Sequence, residues 1–165
     1  MRRALIALVL LGGVARAAPA DHAYELVEEQ RIDEARREVG ALVRARPHDP
    51  EVAFVDGDLA RHSGEYARAA ERFGEAMKLR GRVGEEARQL RDLARATDET
   101  TQGYVALRGK HFVVWHQPGK DELLAPYALA ALEKAMAALG DDLGWRPTEP
   151  VRVEIYPEVA DLARV

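Results

Sequence analysis

Glu65-Tyr-Ala-Arg-Ala-Ala-Glu-Arg-Phe-Gly-Glu-Ala-Met-Lys-Leu79 is the stretch on which the reading of this chain turns. Tyr66, Ala69, Ala70, Phe73, Ala76 and Met77 recur at i, i+3, i+4, i+7 spacing, which gives a helix one buried face. The pattern has an earlier copy. Tyr66, Ala69, Phe73 and Ala76 stand 34 residues after Ile32, Ala35, Val39 and Leu42, small over small and bulky mostly over bulky. A 34-residue period with two helices per period marks a helical solenoid, in which each unit buries its apolar face against its neighbours.

Working outward, the first unit runs from about 16 to 49. Ala23, Leu26 and Val27 line its first helix, Gln30-Arg31 make the turn, and the second helix runs from Ile32 through Val39, Leu42 and Val43. Pro47-His48-Asp49-Pro50 stops it, since proline cannot continue a helix and restricts the residue before it. The second unit runs from 50 to about 83. Pro50 suits a first helical position and Glu51 the positive end of the helix dipole. Val52, Ala53, Phe54, Val55, Leu59 and Ala60 supply its apolar residues, and Gly64 its turn. This arrangement resembles the tetratricopeptide repeat. Gly57, Gly64, Tyr66, Ala69, Phe73 and Ala76 fall on the family's small and aromatic positions, counting Pro50 as position one. Ala53 departs from a usual aromatic, Asp56 from a usual leucine, Gly81 from a common proline and Gln30 from the turn glycine.

A further helix is expected over Glu85–Ala96, with Ala87, Leu90, Leu93 and Ala94 on one side, as a cap to the solenoid. Polar residues 97–103, ending in glycine, read as a linker between a first domain at 18–96 and a second at 104–165. There the period changes. Tyr104–Arg108 and His111–His116 read as a hairpin or two adjoining strands. A long helix follows from about Ala125 to Leu139-Gly140, with Gly140 as its C-cap and Leu124, Tyr127, Ala128, Ala131, Leu132, Ala135 and Leu139 inward. Trp145 looks buried, Val151–Tyr156 alternates as a strand, and Pro157–Val165 begins something helical. The fold class expected is therefore mainly α: a helical-hairpin solenoid followed by a small ββαβ segment with little core of its own, which either leans on the solenoid or belongs to a truncated domain. That segment resembles the opening of peptidase MA-like domains, which are gluzincin-type zinc peptidases, at His111-Phe-Val-Val, the helix closing at Leu139-Gly140, and Val151-Arg-Val-Glu-Ile-Tyr156.

The resemblance implies a His-Glu-x-x-His motif, which sets two imidazoles and a glutamate base on one helix face. The chain does not contain it. Its five histidines, His22, His48, His62, His111 and His116, include no pair four apart, and a separation of five sends His111 and His116 to opposite faces of a strand. There is no cysteine, Gly-x-Ser-x-Gly elbow or phosphate-binding glycine loop, so no catalytic residue, metal ligand or cofactor is assigned. Asp141-Asp142 reads as a solvated loop pair, and Trp115 and Tyr104 read as core.

Residues 1–17 have the plan of an export signal: Arg2-Arg3, an apolar run from Ala4 to Leu11, and Ala15-Arg16-Ala17 for cleavage. The run is too short to span a bilayer; an uncleaved anchor or a buried first helix is the alternative. No later segment reads as apolar enough to cross, and a periplasmic or envelope location follows from the signal. Net charge is −4 with both signs interspersed, unlike a nucleic-acid binder. The tetratricopeptide resemblance implies a concave groove formed by Tyr24, Glu28, Phe54, Asp58, Arg61, His62, Arg88, Asp92 and Arg95. Val27 and Glu51 belong to the same face. Apolar anchors among both charges suit a protein or peptide partner; solvated helix faces are the alternative. The expectation is an exported binding module, or the N-terminal part of a zinc metallopeptidase whose zinc motif lies beyond residue 165.

Overall fold

The computed structural model describes residues 19–79, 82–144 and 146–165. The expected export signal at 1–17 and the expected burial of Trp145 lie outside them. The described chain is mainly helical and ends in a small mixed sheet, the class expected from its periodicity.

Two helical hairpins come first: α1 (Pro19–Glu28) with α2 (Ile32–Ala45), then α3 (Pro50–His62) with α4 (Tyr66–Ala76). Helix α3 is central. It packs on α1, α2 and α4, and every residue from Val52 to Ala60 is buried. On one side it closes a core with Leu26, Val27, Ala35 and Val39; on the other, with Ala69, Phe73, Ala76 and Ala87. The equivalent positions 35/69 and 39/73 are thus core in both hairpins. Gly57 lets α3 approach α4 closely, since a Cβ there would lie 3.0 Å from the Phe73 ring. Asp49 caps α3 by accepting from the Glu51 N–H at 2.9 Å.

The hairpin turns share one geometry. Gly64 has φ +74°, and its equivalent Gln30 also lies in the left-handed region at φ +58°. In each, the next N–H reaches back to a helix carbonyl: Glu65 to Ala60 at 2.8 Å, Arg31 to Leu26 at 2.9 Å. Asp56, which departs from the leucine of the repeat pattern, is 2% exposed. Arg68 and Arg72, four apart on α4, reach its two carboxylate oxygens at 2.6 and 2.7 Å. Two guanidinium groups make its burial tolerable.

Helix α5 (Arg82–Thr101) packs on α4 and differs from expectation in two ways. It runs through the supposed linker as far as Thr101: Thr97 is buried, and the Thr97 and Thr101 hydroxyls are satisfied by the carbonyls four residues back, at 2.9 and 2.8 Å. Leu93, expected inward, is 37% exposed.

Strands β1 (Val105–Arg108) and β2 (Phe112–His116) pair antiparallel, and β3 (Val151–Ile155) pairs parallel to β2, in the order β1-β2-β3. A 3-10 turn (Lys120–Leu123) and α6 (Ala125–Leu143) make the crossover, and α7 (Val159–Leu162) follows β3. Helix α6 extends past the expected stop: Gly140 is buried inside it, and Gly144, at φ +62°, ends it. Its inward face is also rotated. Ala125 and Gly140 are buried, whereas Leu124, Tyr127 and Leu139 are exposed, Tyr127 to 77%. The helix is apolar almost all round, so periodicity could not choose a face. Glu133 helps to fix it, accepting from the His111 backbone N–H at 2.7 Å and lying 2.7 Å from His111 Nδ1. One further expectation is overturned: by length and composition the 23-residue stretch Asp121–Leu143 is apolar enough to cross a membrane. Here its helix packs on β2.

The two halves meet at Glu154, which accepts from the Tyr66 hydroxyl at 2.7 Å, from Arg152 at 2.6 Å and from the Tyr156 hydroxyl. The Arg152 guanidinium lies 4.2 Å from the Trp115 ring centroid and 5.4 Å from that of Tyr66. Gly64 is bound into the same joint, since a Cβ there would fall 2.5 Å from the Arg152 side chain. Arg36 adds an ion pair to Glu149 at 2.9 Å.

Candidate functional site

One turn of helix separates Tyr24 from Glu28 on α1, and Phe54 from Asp58 and Asp58 from His62 on α3. Such spacing lines residues along one face. Because α1 and α3 pack together, the two rows face each other. The Tyr24 and Phe54 rings lie 6.1 Å apart, and Phe54 stacks edge-on against Phe73 at 5.7 Å. Carboxylate oxygens of Glu28 and Asp58 and an imidazole nitrogen of His62 all lie within 4.8 Å of one another.

Asp58 is 2% exposed. Its Oδ1 accepts from Arg61 at 2.6 and 2.9 Å, while its Oδ2 is buried with no hydrogen-bond partner. The same Arg61 group stands 2.7 Å from His62 Nε2, and Gln30 Nε2 stands 3.2 Å from His62 Nδ1. Burial, then the Arg61 charge, hold His62 below its ordinary pKa and favour the neutral ring. Burial, then Glu28, Asp58 and Glu86, push the Tyr24 hydroxyl above its ordinary value against the opposing pull of Arg61.

Six of the nine residues singled out from the sequence are therefore neighbours: Tyr24, Glu28, Phe54, Asp58, Arg61 and His62. Arg88, Asp92 and Arg95 stand apart from them on α5. All three are exposed; Arg88 pairs with Glu85 and Asp92 with Arg91, at 2.8 and 2.7 Å. Known protein families, characterised proteins and solved structures give no match to this chain. The face is accordingly read from its own geometry.

Sequence reasoning missed the Glu28–Asp58–His62 grouping as a possible ligand set. Asp58 and His62 are an i, i+4 pair, but Glu28 comes from another helix and carries no local signal. The two strand histidines take separate partners. His111 meets Glu133, and the buried His116 lies 2.9 Å from the Gln117 carbonyl through Nδ1. A cleft of about 820 Å³ between the α1–α2 turn and the α6–β3 connection is lined by Arg31, Arg36, Glu34 and Glu149 among others, and these four are already paired with acids or arginines of the chain.

Proposed function

We propose that this chain is an exported protein whose tetratricopeptide-like hairpins bind a protein or peptide partner, joined to the start of a peptidase MA-like domain. One observation carries the reading: the half-buried Tyr24 ring, backed by the buried Phe54, is flanked by Glu28, Asp58, Arg61 and His62 on adjacent first helices. Aromatic anchors bordered by charge make a hot spot for a peptide side chain and its neighbours. Selection of a random peptide display library on the 165-residue chain tests it. Binders whose affinity falls at least tenfold on Tyr24→Ala or Glu28→Lys are expected. Binders indifferent to both changes would move the function elsewhere.

A second reading, the N-terminal part of a zinc metallopeptidase, is supported by apolar surface on the second half. Leu123, Tyr127, Leu143, Val159 and Leu162 are all at least 60% exposed, and β3 has an unpaired edge. The described residues do not fit such a zinc site. No His-Glu-x-x-His is present, and the acceptor nitrogen of His62, Nε2, is taken by Arg61 at 2.7 Å. In this reading a longer product carries the motif past residue 165 and binds about one zinc per chain. A longer reading frame without the motif, or without zinc by elemental analysis, overturns it.

A further inference from the structure

Asp58 presents a contradiction that the described residues do not resolve. A carboxylate so deeply buried needs acceptor bonds on both oxygens, because desolvation penalises an unpaired charge. Arg61 satisfies Oδ1; Oδ2 is buried without a hydrogen-bond partner. Among the described residues Glu28 receives no hydrogen bond or ion pair, and its carboxylate lies within 4.8 Å of the Asp58 and His62 ligating atoms. Tyr24 and Phe54 lie beside them on the same helix faces, one turn away from Glu28 and Asp58 respectively.

We infer that this site receives a basic side chain of the partner peptide, a lysine ammonium or arginine guanidinium held between Asp58 Oδ2 and Glu28, with an adjoining apolar residue against the half-buried Tyr24 ring. The inference rests on the peptide-binding reading above and names the chemistry its partner carries. A cation with several N–H donors meets two acceptors at once, and the aromatic faces favour it further. A divalent metal is the poorer occupant. It would need a lone pair from His62, yet the free lone pair of the neutral ring faces the Arg61 N–H at Nε2, 2.7 Å away. The raised hydroxyl of Tyr24 agrees with the sign: after burial, three acids act on it against one arginine.

The test uses the full 165-residue chain and four acetylated, amidated hexapeptides, Gly-Ser-Leu-X-Leu-Ser, in which X is Arg, Lys, Gln or Glu. Competition against a labelled binder from the display selection measures each. The Arg and Lys peptides are expected to bind at least tenfold more tightly than the Gln peptide, and the Glu peptide most weakly. Glu28→Gln, at an exposed position, should reduce that preference several-fold. Asp58→Asn, used once its melting curve matches wild type, should abolish it. Equal competition by all four peptides, a preference for Glu, or no competition by any of them overturns the inference. If the selected binders still depend on Tyr24, the peptide-binding reading survives that result; if they do not, both fall. Binding of one equivalent of Zn²⁺ that is lost in His62→Ala assigns the pocket to metal and also overturns it.

Discussion

Gln30 bears the strain that a glycine would avoid. A side chain at φ +58° costs about 1–2 kcal/mol, and the equivalent turn uses Gly64. Gln30→Gly should therefore stabilise the protein by about 0.5–1 kcal/mol, less than the full relief because glycine also loosens the unfolded chain. A urea midpoint that rises at constant slope checks this; a fall would show that the Gln30 contacts to His62 outweigh the strain. His62 has a signature in pH. Its folded pKa lies below the unfolded value, so the unfolded chain binds more protons as pH falls below about 6.5. Its share of stability is complete above that pH and is lost on acidification down to the folded pKa. Groups facing the ring are Glu28 from α1, Gln30 from the turn, and Asp58 and Arg61 from α3. In His62→Gln, the stability lost between pH 7 and pH 5 should shrink; an unchanged profile would place the acid sensitivity elsewhere.

At the scale of elements, legibility followed the strength of the apolar contrast. Helix α4 alternates small and bulky inward residues with charged outward ones, so its buried face could be read directly. Phe73, 0% exposed between α3 and α4, is the residue on which that reading stands, and Phe73→Ala should cost about 3–5 kcal/mol. A denaturation midpoint equal to wild type would contradict the packing. Helix α6 offered no such contrast, being rich in alanine and leucine on every side, and its inward face and C-cap were misplaced. The sequence ends helix α5 early because Thr97–Thr101 is polar; burial of Thr97 goes with the longer helix, and the Thr97 and Thr101 hydroxyls find acceptors in helix carbonyls. Amide exchange should separate the two possibilities. The N–H groups of 97–101 should be protected at least a hundredfold relative to an open chain, whereas a linker would exchange freely. For the candidate site, it was the resemblance to the tetratricopeptide repeat, not periodicity, that grouped Asp58, His62 and their neighbours. The partnering of Asp56 with Arg68 and Arg72, and the approach of Glu28, depended on contacts between helices that no local pattern records.

The whole molecule is two differently built halves joined at Glu154. Burial, then the bond to Glu154, raise the Tyr66 hydroxyl to about 12, so the joint keeps its proton through the physiological range. Removing Arg152 takes away the guanidinium between Trp115 and Tyr66 and leaves Glu154 with two hydroxyl donors. Arg152→Ala should lower the melting temperature by several degrees, about 1–2 kcal/mol, and separate the tryptophan fluorescence transition from the far-ultraviolet helical one. Coincident transitions at the wild-type temperature would show that the joint is incidental. Helix α5 then acquires a meaning of its own. Twenty residues of continuous helix, about 30 Å long and packed on α4, stand where a flexible tether of that length would sample many distances. A partner gripped at the first hairpins would meet the sheet at an effective concentration fixed by that helix together with the Glu154 joint, the same in dilute and concentrated solution. Short partners would gain nothing from the second half. The gain would begin only when the bound chain is long enough to reach it, so the helix works as a length filter.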